Sequence, residues 1–128
     1  TKNKQTNEPL PLVPPSKIKV GIEYVSQNNF SLMENVTLKH SYITLNETFS
    51  AKQNHPGQFE LATPSYSLLN LGFGFDVQYK STPMKFDFAI ENILNEAYYD
   101  HLSRYKEFAL NSGRNIVFRT NIPFEILQ

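Results

Sequence analysis

The chain contains no cysteine, so neither a disulfide framework nor a thiolate metal site can hold it together. It also lacks a surplus of either charge. Twelve Lys and Arg stand against twelve Asp and Glu, and without a basic cluster nucleic acid is not an expected partner. No run of about 18 apolar residues occurs, which excludes a transmembrane helix but says nothing against membrane-crossing strands. An export signal is equally missing, because Thr1–Glu8 is a polar run with no apolar centre and no cleavage-like site. No nucleophile and base accompany the carboxylates, so catalysis is not expected, nor is a cofactor. What remains is 128 residues, 40% of them hydrophobic, the size of one domain.

What the chain does have is alternation. From Leu69 the residues Leu69, Leu71, Phe73, Phe75, Val77 and Tyr79 fall on one side of an extended segment, with Asn70, Gly72, Gly74, Asp76 and Gln78 on the other. That is the period of a strand with one apolar face. After a short link at Lys80–Pro83, Phe86, Phe88 and Ile90 alternate with Lys85, Asp87 and Glu91, which predicts a hairpin. The Leu68–Tyr79 run is about twice the common strand length of roughly 5–6 residues and fits the ~9–11 residues a tilted strand needs to cross a bilayer. Large apolar side chains along one face and carboxylates, lysine and amides along the other ask for hydrocarbon on one side and water on the other, as in a transmembrane barrel.

The remaining chain reads in the same way. Residues 1–15 form a polar, then Pro-rich lead-in whose prolines favour an extended path. Ser16–Val25 alternates Ile18, Val20, Ile22 and Tyr24 with Lys17, Lys19, Gly21 and Glu23, a first strand, followed by a short polar turn at Ser26–Asn29. A second strand is expected over Phe30–Leu45, with Leu32, Val36, Leu38, His40 and Tyr42 on one parity. Glu34 interrupts that side near a membrane edge, and His40 is read as interfacial or shifted by a bulge. A long polar loop, Asn46–Pro64, precedes the hairpin. Leu94–Arg114 is a second long excursion, in which Asp100 or Ser103 could cap a short helical turn carrying Leu102, Tyr105 and Phe108. The last strand, Asn115–Phe124, puts Ile116, Phe118, Ile122 and Phe124 on the apolar side and Arg119 opposite.

The expected architecture is therefore all-β, five long antiparallel strands in an up-and-down meander with one helical turn in an extracellular loop. Its links alternate short and long, as in outer-membrane barrels, and five strands are too few to close such a barrel. The chain is thus expected to be part of a longer protein, with residues 16–128 supplying barrel strands.

Four stretches carry a resemblance: Pro9–Tyr24 (PLPLVPPSKIKVGIEY), Tyr66–Phe75 (YSLLNLGFGF), Glu91–Tyr99 (ENILNEAYY) and Gly113–Phe124 (GRNIVFRTNIPF). In this order they resemble the C-terminal end of TonB-dependent outer-membrane receptors, over nearly the whole chain from Pro9 to Phe124. The most specific piece is the N-x-L-N-x-x-Y arrangement of Asn92, Leu94, Asn95 and Tyr98 ahead of a terminal strand. The resemblance implies a barrel of about 22 strands closed by a plug, of which this chain would supply the last five. It implies import of scarce nutrients across a Gram-negative outer membrane, with energy passed from TonB through the plug segment. Phe124 stands at the place of the barrel-terminal aromatic, with Glu125–Gln128 beyond it. The run from His101 to Lys106 resembles the branch that handles metals or metal chelates such as siderophores.

On this reading Leu69, Leu71, Phe73, Phe75, Phe86, Phe88, Ile90, Phe118 and Ile122 face lipid, and Asp76, Lys85, Asp87, Glu91 and Arg119 face the lumen as solvated, ion-pairing groups. Tyr24, Tyr42, Tyr66, Tyr79 and Tyr99 read as interface girdle residues, and Gly72 and Gly74 as relief of crowding on the lumen side. His55 and His101, on outward loops, are the candidates for touching a substrate, although no histidine pair has metal-site spacing. The expected partners are membrane lipid, the rest of the barrel and plug, and TonB, with oligomerisation of the isolated fragment as a way to cover its edges. The competing expectation is a self-contained soluble β-sandwich or small barrel that binds a ligand or protein.

Overall fold

Strict alternation in the middle of the chain builds one antiparallel sheet. The computed structural model describes residues 9–57 and 59–124; the polar start of the lead-in at 1–8 and the tail at 125–128 lie outside the described residues. Six strands form among the described residues: β1 (Lys17–Ser26), β2 (Phe30–Met33), β3 (Val36–Ser50), β4 (Tyr66–Tyr79), β5 (Thr82–Glu91) and β6 (Asn115–Asn121). Their spatial order is β1-β3-β4-β5-β6, with β2 paired to β3, and every pairing is antiparallel. β4 and β5 make the expected hairpin, in register from Leu71 opposite Ile90 to Tyr79 opposite Thr82.

The second strand is where the expectation fails. Residues 30–45 are not one strand: the chain reverses at 34–35, so that β2 and β3 form a hairpin of their own. Asn35 adopts φ 92°, a left-handed conformation that asparagine tolerates better than most residues. Its carbonyl accepts the N–H of Lys80 at 2.9 Å, tying this turn to the one at 80–81. The expected turn at 26–29 is only a break along one edge, because β1 and β2 follow each other against the same side of β3. The links therefore remain alternately short (34–35, 80–81) and long (51–65, 92–114).

A bulge at Lys39 resets the parity of β3. Leu38 pairs with Val77 but His40 already pairs with Asp76, so one extra residue is absorbed and everything beyond it changes face. Val36 and Leu38 thus share a face with Ser41, Ile43 and Leu45, while His40 and Tyr42 join the polar face. The bulge-shifted reading of His40 matches this geometry. The girdle reading of Tyr42 does not: it lies opposite Gly74 and donates its hydroxyl to Asp87 Oδ1 at 2.6 Å. Gly74 makes that reach across β4 feasible, since a Cβ there would stand 2.5 Å from Tyr42 Cε1 and 2.6 Å from Asp87 Oδ1. Tyr66 departs from the girdle reading as well, being only 6% exposed on the polar face.

No helix forms among the described residues. The stretch expected to carry a helical turn holds successive hydrogen-bonded turns that do not extend into a helix. The carbonyls of Asp100 and Ser103 accept the Ser103 and Lys106 N–H groups, and that of Tyr105 accepts those of Phe108 and Ala109, while Asp100 Oδ1 accepts the Leu102 N–H at 2.9 Å and Ser103 Oγ that of Tyr105 at 3.2 Å. Side chains that satisfy the backbone two residues on favour turns over a continuing helix. Tyr105 and Phe108 stay 71% and 85% exposed, so no packed face rewards helix formation.

The sheet is a single layer. One face carries Ile18, Val20, Ile22 and Tyr24 of β1, Ile43 and Leu45 of β3, Leu69, Leu71, Phe73, Phe75 and Val77 of β4, Phe86, Phe88 and Ile90 of β5, and Ile116 and Phe118 of β6. Across it runs an aromatic row, Phe73 to Phe88 at 4.8 Å and Phe88 to Phe118 at 4.7 Å between ring centroids, each pair contributing about 0.5–1.5 kcal/mol beyond its buried area. None of the described residues packs over this face: Ile22, Ile116 and Phe118 are 73%, 73% and 55% exposed. Ile122 continues the parity one residue past β6. The accessible surface is 9959 Å² for 14.8 kDa, against ~7,000 Å² for a folded monomer of that mass.

Candidate functional site

The polar face and the long loops at one end of it hold the groups with chemistry. In the middle of the face Asp87 accepts from Tyr42 and stands opposite Arg119. Asp76 is opposite Lys85, with Lys85 Nζ and His40 Nδ1 each 4.0 Å from its Oδ2. Glu91 Oε2 accepts the Asn115 amide at 3.2 Å. The five residues read as lumen-facing thus share one face as a row of partly solvated charges, with an acidic and a basic residue opposite each other at Asp76–Lys85 and Asp87–Arg119. Towards the loops the face hollows into a concavity of about 360 Å³, bordered by Asn46, Asn70, Asn92, Tyr98, Ser112 and Asn115.

The N-x-L-N-x-x-Y arrangement closes the base of loop 92–114. Asn92 is 4% exposed and turns the chain out of β5 with φ 51°. Its side-chain oxygen accepts the Glu96 N–H at 2.8 Å, its amide donates to the Glu96 carbonyl at 2.9 Å, and its own N–H reaches Asn70 Oδ1 at 2.9 Å. Asn95, with φ 55°, accepts the Arg114 N–H at 2.9 Å, so the beginning and end of the loop are stapled together. The Tyr98 ring lies 4.6 Å from that of Tyr66, and its carbonyl accepts from Asn111 at 2.9 Å. Leu94 is 68% exposed and holds nothing. The motif is thus a structural clamp in which three of the four residues take part.

Asp100 fastens the same loop to the sheet. Its Oδ2 meets Lys17 Nζ at 2.7 Å and accepts the Tyr66 hydroxyl at 3.2 Å, while Oδ1 takes the Leu102 N–H. Burial alone would raise its pKa, but Lys17, the Leu102 N–H and Tyr66 together hold the carboxyl below its ordinary value. A depressed folded-state value means the carboxylate stabilises the closed loop above the unfolded value and loses that contribution as pH falls through the folded one. Loop 92–114 is accordingly expected to loosen below about pH 4. In Asp100→Asn it should be looser already at neutral pH and show a weaker acid response, read by amide hydrogen exchange around Asn111.

Glu60 gathers three segments. Its carboxylate accepts the Leu12 N–H (3.2 and 3.1 Å to its two oxygens) from the lead-in and the Gly57 N–H at 3.0 Å from its own loop. Lys106 Nζ, from loop 92–114, lies 3.3 Å from Oε1. Burial pushes its pKa up, and these donors together outweigh it and hold it below the ordinary value. Beside it sits His101, 1% exposed, with Nδ1 3.2 Å from Thr63 Oγ1 and Nε2 3.9 Å from Glu60 Oε2.

Of the two histidines expected to touch substrate, His55 is exposed on loop 51–65. His101 departs from that expectation, since its ring is enclosed between the loops and meets Thr63 and Glu60 rather than solvent. Among the described residues no group of three His, Asp or Glu could hold a metal ion. Glu60, Thr63 and Asn111 escaped the sequence reading, because they lie in loops with no periodicity to single them out, and Lys106 entered it only as the end of the His101–Lys106 run. Phe124, 81% exposed, follows β6 at the end opposite the long loops. No protein-family model, no curated protein and no solved structure matches the chain.

Proposed function

We propose that this chain is a wall segment of an outer-membrane β-barrel, the C-terminal strands of a TonB-dependent importer. The observation that carries the reading is the uncovered apolar face on a single-layer sheet whose other face is charged. Soluble monomers rarely expose a contiguous apolar patch larger than a few hundred Å², and a sandwich would place a second layer there.

The dimensions support a membrane. From Leu69 to Tyr79 the apolar parity of β4 covers ten steps of about 3.4 Å, which at a tilt of about 45° spans ~24 Å, close to the ~25 Å lipid-facing band of such barrels. The short turns at one end and long loops at the other support the same topology, with the lead-in and both long loops on the outer surface. Among the described residues β1 with β2 on one side and β6 on the other are edges without a further partner, and further strands, with the plug, would close the barrel and couple it to TonB. Lumen-facing Asp76, Lys85, Asp87, Glu91 and Arg119 then border the plug and its water. A metal chelate or comparable scarce nutrient as cargo follows from the resemblance of the His101–Lys106 run alone.

Expressed by itself, the chain is expected to aggregate, to require detergent or to oligomerise through its edges. A monodisperse monomer in plain buffer, measured by light scattering, would instead favour a self-contained soluble module.

A further inference from the structure

The three segments gathered at Glu60 close over a histidine whose second ring nitrogen has no hydrogen-bond partner among the described residues. His101 is enclosed, its Nδ1 is engaged with Thr63, and its Nε2 has no hydrogen-bond partner among the described residues. We propose that His101 and Glu60 form a proton-operated latch: with the ring neutral, the lead-in and loops 51–65 and 92–114 are closed together, and protonation of the ring releases them.

Imidazolium carries two N–H donors and must find acceptors for both. The acceptor nearest Nε2, Glu60 Oε2, is 3.9 Å away, beyond hydrogen-bond reach, and its carboxylate already serves Leu12, Gly57 and Lys106. Around the ring, loop 51–65 presents Glu60 and Thr63, and loop 92–114 presents Lys106 and Asp100, the latter committed to Lys17 of β1. Lys106 also donates to the His101 carbonyl at 3.1 Å, which fixes its ammonium charge beside the site. Burial first, then the Lys106 ammonium, oppose the charged ring, and the carboxylates of Glu60 and Asp100 only partly compensate, so the ring titrates below its ordinary value.

The sign follows. A ring freed from the latch takes up its proton near pH 6.5 while the enclosed ring does not, so the closed form is fully favoured above about pH 6.5 and loses ground below it, by up to about tenfold in the closed-to-open ratio per pH unit. This window lies well above the acid loosening assigned to Asp100. Loop 92–114 contributes Asn92, Tyr98, Ser112 and Gly113 to the hollow on the polar face, so the latch governs the loop wall of that hollow. The inference stands on contacts between loops and holds whichever medium covers the apolar face.

The absence of cysteine permits a pH-insensitive test. Nitroxide labels on Asn54→Cys and Arg104→Cys report the separation of the two loops by pulsed electron resonance between pH 8 and 5. The expected result is a narrow distance distribution at pH 8 that broadens below about pH 6.5, and no such change in the His101→Gln variant. An unchanged distribution over the whole range, or the same change persisting in His101→Gln, would overturn the latch. If His101→Gln is open at every pH, the ring titration of the unsubstituted protein followed by NMR decides: a His101 midpoint coinciding with the distance change supports the latch, and a separate midpoint refutes it.

Discussion

Phe118→Arg is expected to cost about 2–4 kcal/mol of folding free energy in liposomes, whereas Val117→Arg, one residue earlier, should cost less than about 1 kcal/mol. The two side chains leave the same strand in opposite directions. Phe118 ends the aromatic row through Phe88 and Phe73 near the middle of the apolar face, whereas Val117 stands opposite Ala89 on the polar one. In the proposed barrel a guanidinium at the first position would have to leave water for hydrocarbon, three strands away from Glu47, an acidic residue of that face. At the second it would join Arg119 and Asp87 on the face that the proposal turns towards water. If both faces met water, Phe118→Arg would lose little more than one aromatic contact, and the two variants would unfold at similar urea concentrations.

Asn92→Ala should be the most damaging substitution in the loops, at about 3 kcal/mol. It removes both side-chain hydrogen bonds to the Glu96 backbone, made by a residue only 4% exposed, and with them the closure at the start of the loop. It also places alanine at φ 51°, a left-handed conformation that costs an L-residue with a Cβ roughly 1–2 kcal/mol. Leu94→Ala, in the same motif, removes a side chain that is 68% exposed and should change stability by less than about 0.5 kcal/mol. Limited proteolysis of loop 92–114 together with urea midpoints separates the two. Equal effects would mean that the motif does not act through the Asn92 clamp.

The β4–β5 hairpin was legible because its alternation from Leu69 to Glu91 is broken only by the turn at 80–81. The region around β2 and β3 was not, for two local reasons. Glu34 and Asn35 reverse the chain inside a stretch whose apolar residues continue on either side, so hydrophobic period alone reads through the turn. Lys39 then adds one residue to the ladder, which sends Tyr42 to the face opposite the one its parity with Leu38 implies. The asparagine at the reversal was the one available signal, since it accepts left-handed backbone readily.

The candidate site divides along the same line. Asn92, Asn95 and Tyr98 were visible as a spaced motif, although their work as a clamp emerges only from the hydrogen bonds. Glu60, Thr63 and Lys106 come together from aperiodic loops over 40 residues apart, and no short-range pattern connects them. His101 was noticed for its imidazole and expected at the surface, yet the loops fold over it. Its environment depends on which loop lies beside which, and sheet order sets that by placing β1, β3, β4 and β5 side by side.

The most direct test of the central claim is a single-cysteine scan from Leu69 to Tyr79 in the protein reconstituted into liposomes, each site carrying a fluorophore. Quenchers fixed to acyl chains should act on labels at 69, 71, 73, 75 and 77, and aqueous iodide on those at 70, 76 and 78. Iodide reaching both sets alike, or neither quencher reaching Phe73 and Phe75, would contradict a sheet with lipid on one face and water on the other.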